Sequence, residues 1–197
     1  LYAGAIDHRD SLGTVATIEP GAVNLMTAGR GIVHSERSPS AERAKGPKLY
    51  GMQTWLALPE ANEEMAPAFE HVGAGELPLV EAPGARCRVI MGTLWGASAP
   101  TTTYAQTIYA DIELAEGGAV PIDPSADERA IYLSYGDASI DGVEMEVSTL
   151  YILRPGITAI LRSAGGARVM LCGGEDFATP RHVWWNFVSS SRDRINQ

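Results

Sequence analysis

Short runs of alternating apolar and polar residues, cut every few positions by Gly, Pro, Asp or Asn, dominate this chain of 197 residues. That punctuation restricts the fold more than any other feature. Period-2 alternation is the signature of a half-buried β-strand. The clearest run is 104–114, where Ile108, Ala110, Ile112 and Leu114 alternate with Tyr109, Asp111 and Glu113. Further strands are expected at 15–18, 23–26, 49–58, 88–91, 130–134, 143–147, 150–153, 158–162 and 168–172. Gly13, Gly21, Gly31, Gly136, Gly142 and Gly156 punctuate them. Many short strands with regular turn signals indicate an all-β sandwich or barrel. Helical signal is poor, and the one expected start is Ser190 or Ser191, capping Arg192 to Ile195.

An internal repeat divides the chain. Glu19-Pro20-Gly21 follows one short strand and leads into Ala22-Val23-Asn24-Leu25. Arg154-Pro155-Gly156 does the same before Ile157-Thr158-Ala159-Ile160. Upstream of each, Ala3-Gly4-Ala5-Ile6 corresponds to Tyr135-Gly136-Asp137-Ala138. Each half reads as strand, tight turn, strand, x-Pro-Gly turn, strand. Two copies of one β-barrel module in tandem account for this, joined at Gly96-Ala97-Ser98-Ala99-Pro100. The expected division is residues 1–95 and residues 96–197.

Charge and composition remove several function classes. The 24 acidic residues outnumber the 15 basic ones, giving a net charge of −9. There is no run of Lys or Arg, so direct nucleic-acid binding is not expected. No apolar run approaches the ~20 residues that span a bilayer. The N-terminus has no basic or apolar leader. It lacks Met and begins within a strand-like run, so the natural chain is expected to start further upstream. Cys87 and Cys172 lie in apolar runs and read as small buried hydrophobes. A monomer in the cytoplasm is the expectation.

The chemistry concentrates in Gly31-Ile32-Val33-His34-Ser35-Glu36. His34 and Glu36 stand two apart, so on a strand they share a face. Imidazole nitrogen with carboxylate oxygen is a mixed donor set suited to Fe(II), Mn, Ni, Cu or Zn. Two ligands are too few for a tight site, so partners from another strand are required. By residue type alone, the competing reading is a hydrogen-bonded histidine beside a solvated glutamate.

The wider context, Met26-Thr27-Ala28-Gly29-Arg30-Gly31-Ile32-Val33-His34-Ser35-Glu36, resembles the signature of the pirin family, within the cupin superfamily. The resemblance continues in Asp10-Ser11-Leu12-Gly13, in Trp55-Leu56-Ala57-Leu58-Pro59, and in Arg181-His182-Val183-Trp184-Trp185-Asn186-Phe187-Val188-Ser189-Ser190. It implies two cupin barrels, with one iron held in the N-terminal barrel by three His and one Glu. The third His falls on His34 and the Glu on Glu36. The His-Pro-His-Arg-Gly motif that carries the first two is absent from this chain. Family members show either quercetin 2,3-dioxygenase activity or a regulatory role with protein partners. The resemblance therefore implies a small aromatic substrate or a protein partner, with Glu36 as the catalytic group. In the second half, Glu128 precedes Gly136 as the cupin pattern requires. However, Ile122 and Pro124 occupy the His positions, so a metal-free second barrel is expected.

The remaining candidates read blandly. His8, in Asp7-His8-Arg9-Asp10, reads as a surface histidine in a polar turn. His71 reads as a loop residue. His182 reads as a packing or hydrogen-bonding ring. Trp184, Trp185 and Phe187 are expected to pack between the domains. Asp123, Asp127 and Glu128 read as a solvated face, since their spacing fits no calcium loop.

Overall fold

A computed structural model describes residues 1–46 and 48–197. It forms two compact units, residues 1–76 with 177–197, and residues 77–176. The first unit opens with β1 (Ile6–Asp10), β2 (Val15–Ile18), β3 (Val23–Thr27) and β4 (His34–Arg37). Helix α1 (Ser40–Lys45), a 3-10 turn at Glu60–Asn62 and β5 (Ala68–Val72) follow. Strands β2, β1 and β4 form one antiparallel sheet in that order, and β3 pairs with β5.

The second unit holds β6 (Leu79–Ala82), β7 (Ala85–Met91), β8 (Thr93–Leu94), β9 (Ala97–Ser98), β10 (Thr107–Leu114) and β11 (Ala119–Ile122). It continues with β12 (Glu128–Gly136), β13 (Ser139–Ile140), β14 (Val143–Glu144), β15 (Leu150–Ile152), β16 (Ala159–Arg162) and β17 (Ala167–Gly174). A six-stranded sheet ordered β15-β12-β17-β10-β7-β6 and a four-stranded sheet ordered β11-β16-β13-β14 supply its core. Ile112, Ile122, Ile131, Leu133, Leu161, Val169 and Leu171 are fully buried there. Each such side chain contributes roughly 1.5–3 kcal/mol by leaving water. The expected boundary at 95/96 is corrected by this pairing. Strand β7 lies beside β10, with Cys87 opposite Ile112, so the break falls inside the second unit.

The C-terminal segment returns to the first unit as the hairpin β18 (His182–Trp184) and β19 (Phe187–Ser189), then α2 (Arg192–Ile195). Ser191 caps α2 as expected, its Oγ accepting the Arg194 amide at 3.3 Å. A half-buried carboxylate fastens this segment. Glu63 receives the Arg181 guanidinium at 2.7 Å and both the amide and hydroxyl of Ser190.

Two expectations fail locally. Residues 49–58 form no strand; beyond the isolated bridge of Ala3 to Tyr50 they have no ladder partner. Apolar alternation cannot make a strand without a neighbour to take its N–H and C=O groups. Trp184, Trp185 and Phe187 are exposed rather than packed, Trp185 by 81%. The repeat does reappear in the backbone. Gly21 and Gly156, at matching x-Pro-Gly turns, both take positive φ, +84° and +71°. Among the described residues no helix is long and apolar enough to cross a membrane.

Candidate metal centre

The turn before β4 dictates where His34 emerges. Gly29 adopts φ +51°, and a Cβ there would lie 2.2 Å from the Met65 carbonyl oxygen. Only glycine allows that approach, which lets the Arg30 amide donate to the same oxygen at 2.9 Å. The chain then enters β4 with Asp10 opposite His34 and His8 opposite Glu36. Directly opposed residues of an antiparallel pair share a face. Four polar side chains, His8, Asp10, His34 and Glu36, therefore stand on one face of the sheet. Beyond the ladder, the Ser11 amide donates to the Val33 carbonyl at 2.8 Å and Ser11 Oγ accepts the Val33 amide at 3.2 Å. These bonds lock the register.

His8 is the residue that the sequence reading missed. It lies within β1 and is 1% exposed, so the surface assignment is corrected. Its ring stacks with His34, at 5.8 Å, and with Phe69, at 4.5 Å between centroids. Nε2 meets Asp10 Oδ2 at 3.0 Å, and Nδ1 lies 4.0 Å from Glu36 Oε1. The acceptor on Asp10 assigns the proton to Nε2. Asp10 Oδ1 also accepts the amides of Leu12 and Thr14, at 2.9 and 3.0 Å. Burial opposes ionisation of Asp10, but the hydrogen bonds from His8 and Thr14 outweigh it and hold its carboxyl below the usual range. The chain thus orders a relay: turn amides fix Asp10, Asp10 fixes His8, and His8 stands behind Glu36. The signal in the sequence was the alternation of Ile6, His8 and Asp10 with Asp7 and Arg9, whose polarity on both faces concealed a strand.

His34 is exposed, and the Glu36 side chain is about one-third exposed at 33%. Both are open to a cation from solvent, and their chemistry suits a transition metal. Among the described residues, no group of three or more His, Cys, Asp or Glu side chains converges on a metal-sized position. His34 and Glu36 fit two positions of a coordination sphere, and His8 lies behind them with one nitrogen committed to Asp10.

The other sequence candidates belong to other elements. His71 belongs to β5, not a loop, with Nδ1 2.8 Å from Asn24 Oδ1. His182 opposes Ser189 in the C-terminal hairpin. Glu128 is exposed at the start of β12, and Ile122 is fully buried. Cys87 and Cys172 are free thiols. Burial, reinforced by the nearby Asp111 charge, pushes the Cys87 thiol up to about 12, and burial raises Cys172 in the same direction.

A pirin-like protein from Caulobacter vibrioides is 42% identical over 198 residues, covering all of this chain and 68% of the relative. The chain belongs to the pirin family. The pirin family model matches residues 1–56, and that of the pirin C-terminal cupin domain matches residues 109–197. A Pseudomonas aeruginosa protein provisionally named a quercetin 2,3-dioxygenase is 37% identical, over 99% of this chain and 61% of its own length. The crystal structure of a quercetin 2,3-dioxygenase from Acinetobacter baumannii superposes with a TM-score of 0.84 at 31% identity. That match covers 98% of this pirin and 64% of the Acinetobacter chain. This pirin spans about two thirds of the length of these relatives. Its fold is all-β and of the cupin type, as the repeat and the signature implied.

Proposed function

We propose that this pirin is part of an iron-dependent dioxygenase acting on flavonols of the quercetin type. The observation that carries this reading is the pairing of β1 with β4, which sets His34 and Glu36 side by side over the buried His8–Asp10 pair. The names of the Pseudomonas and Acinetobacter proteins support the reaction class. His34 and Glu36 would hold the iron, and another divalent transition metal would suit the same donors. Iron, when bound, supplies Lewis acidity toward a phenolic oxygen and redox chemistry with O2.

The chain's own groups divide the remaining work. Glu36 Oε is the acceptor for the proton of the flavonol hydroxyl, as general base. His8 limits how far Glu36 can swing, and Asp10 holds His8 in one tautomer. A concavity of about 260 Å³ beside His34, lined by Arg9, Asp10, Ser11, Val33 and Ser35, takes the reacting ring. It is smaller than the ~300–1,000 Å³ of sites that enclose a drug-sized ligand, so the rest of the flavonol stays outside it.

Oxygen uptake with quercetin tests this reading, comparing the full-length protein with its Glu36→Ala variant. Loss of at least about 100-fold is expected when a general base is removed; equal rates overturn the proposal. The exposed hairpin residues Val183, Trp184, Trp185 and Phe187 favour a second reading, an iron-containing regulator that docks a protein partner. Under it, neither protein consumes oxygen, and Trp184→Ala weakens partner capture. The net charge of −9 supports a role without direct nucleic-acid contact.

A further inference from the structure

The sheet that carries His34 and Glu36 has a second face, formed by the alternate residues of β1 and β4. Asp7 and Arg9 of β1 point away from His8 and Asp10, as Ser35 and Arg37 of β4 point away from His34 and Glu36. The register sets Arg9 opposite Ser35 and Asp7 opposite Arg37. The chain then turns through Ser38 into α1, which brings Ser40 and Arg43 to the same place. Together these residues line one concavity of about 480 Å³.

Its charge is out of keeping with the molecule. Three arginines line it in a chain of net charge −9. Arg9, Arg37 and Arg43 make no ion pair among the described residues. Asp7 offers the one carboxylate, and its Oδ1 already accepts Thr17 Oγ1 at 3.0 Å. Three cations against one anion leave the hollow at +2, and like charges gathered without a partner repel.

We propose that this hollow binds a phosphate monoester dianion. Guanidinium forks match phosphate oxygens two at a time, and such charge-assisted bonds are about twice as strong as neutral ones. The hydroxyls of Ser35, Ser38 and Ser40 supply further donors. A dianion balances the +2; a carboxylate, with one charge and two oxygens, leaves one guanidinium unmatched. The volume accommodates a phosphate with a small organic group attached. Arg9 and Ser35 also border the smaller concavity beside His34, whereas Arg37, Ser38, Ser40 and Arg43 line this hollow alone.

Isothermal titration of the full-length protein with inorganic phosphate and with phenyl phosphate tests this, at pH 8 and at ionic strength fixed with chloride. Saturable one-site binding is expected, with phenyl phosphate at least as tight as phosphate. Arg37→Gln and Arg43→Gln should each weaken it at least tenfold, the loss of one charge-assisted pair. His34→Ala and Glu36→Gln should leave it unchanged. Arg43 is exposed on α1, so an unchanged melting curve separates lost binding from lost fold. Four results overturn the proposal: no saturation, equal binding by the arginine variants, loss of binding in His34→Ala, or binding of monoanionic dimethyl phosphate as tight as that of phosphate.

Discussion

Asp10 closes the turn after β1 and orients the ring behind Glu36 with a single carboxylate. Its hydrogen bonds hold its carboxyl below the ordinary value of 3.8. A depressed carboxyl contributes stability that is present above the unfolded value and lost as pH falls toward the folded one. Asp10→Asn keeps the shape and removes that ionisation. The variant should therefore lose less stability than the wild type between pH 5 and pH 3, measured as urea midpoints. Parallel curves for the two proteins would show that Asp10 gains nothing from its partners. At this scale the shared strand face of His34 and Glu36 was legible from their spacing. His8 was not, because burial of a histidine in β1 depends on Phe69, which arrives from β5 far along the chain.

Among the elements, the loops around β12 depend on one cation. Arg129 is 1% exposed, and its guanidinium donates to four carbonyls: Ile122 at 3.1 Å, Asp123 at 3.0 Å, Arg154 at 2.6 Å and Ile157 at 2.8 Å. Two of these flank the Pro155-Gly156 turn of the repeat. Arg129→Met fills similar space but strips all four acceptors. It should cost about 3 kcal/mol or more in chemical denaturation, since buried acceptors left without donors are expensive; a loss under about 0.5 kcal/mol would contradict the clamp. The strands of the second unit were legible because β10, β12 and β17 bury apolar residues in alternation or in runs. Those of the first unit were harder to read. Strand β1 is polar on both faces, and the aromatic stretch 49–58 looks like a strand yet finds no ladder. Hydrophobic pattern reports the face that is buried, not the neighbour that buries it.

For the whole molecule, the apolar interior is unevenly shared. The buried hydrophobic cluster lies in residues 77–176, whereas Leu12, Val15, Val33, Trp55 and Val183 of the other unit are exposed. Amide exchange should therefore be slowest in β10, β12 and β17 and markedly faster in β1 and β4. Uniform protection across both units would contradict this. His34 and Glu36 lie in the unit outside that cluster, so metal held by them would be expected to couple to ordering of that unit. The most direct test of the account is the transition-metal content of the full-length protein, compared with His34→Ala and Glu36→Ala purified in parallel. The account predicts about one iron per chain in the wild type and strongly reduced occupancy in both variants. A wild type without transition metal, or variants that retain it fully, would contradict the assignment of His34 and Glu36.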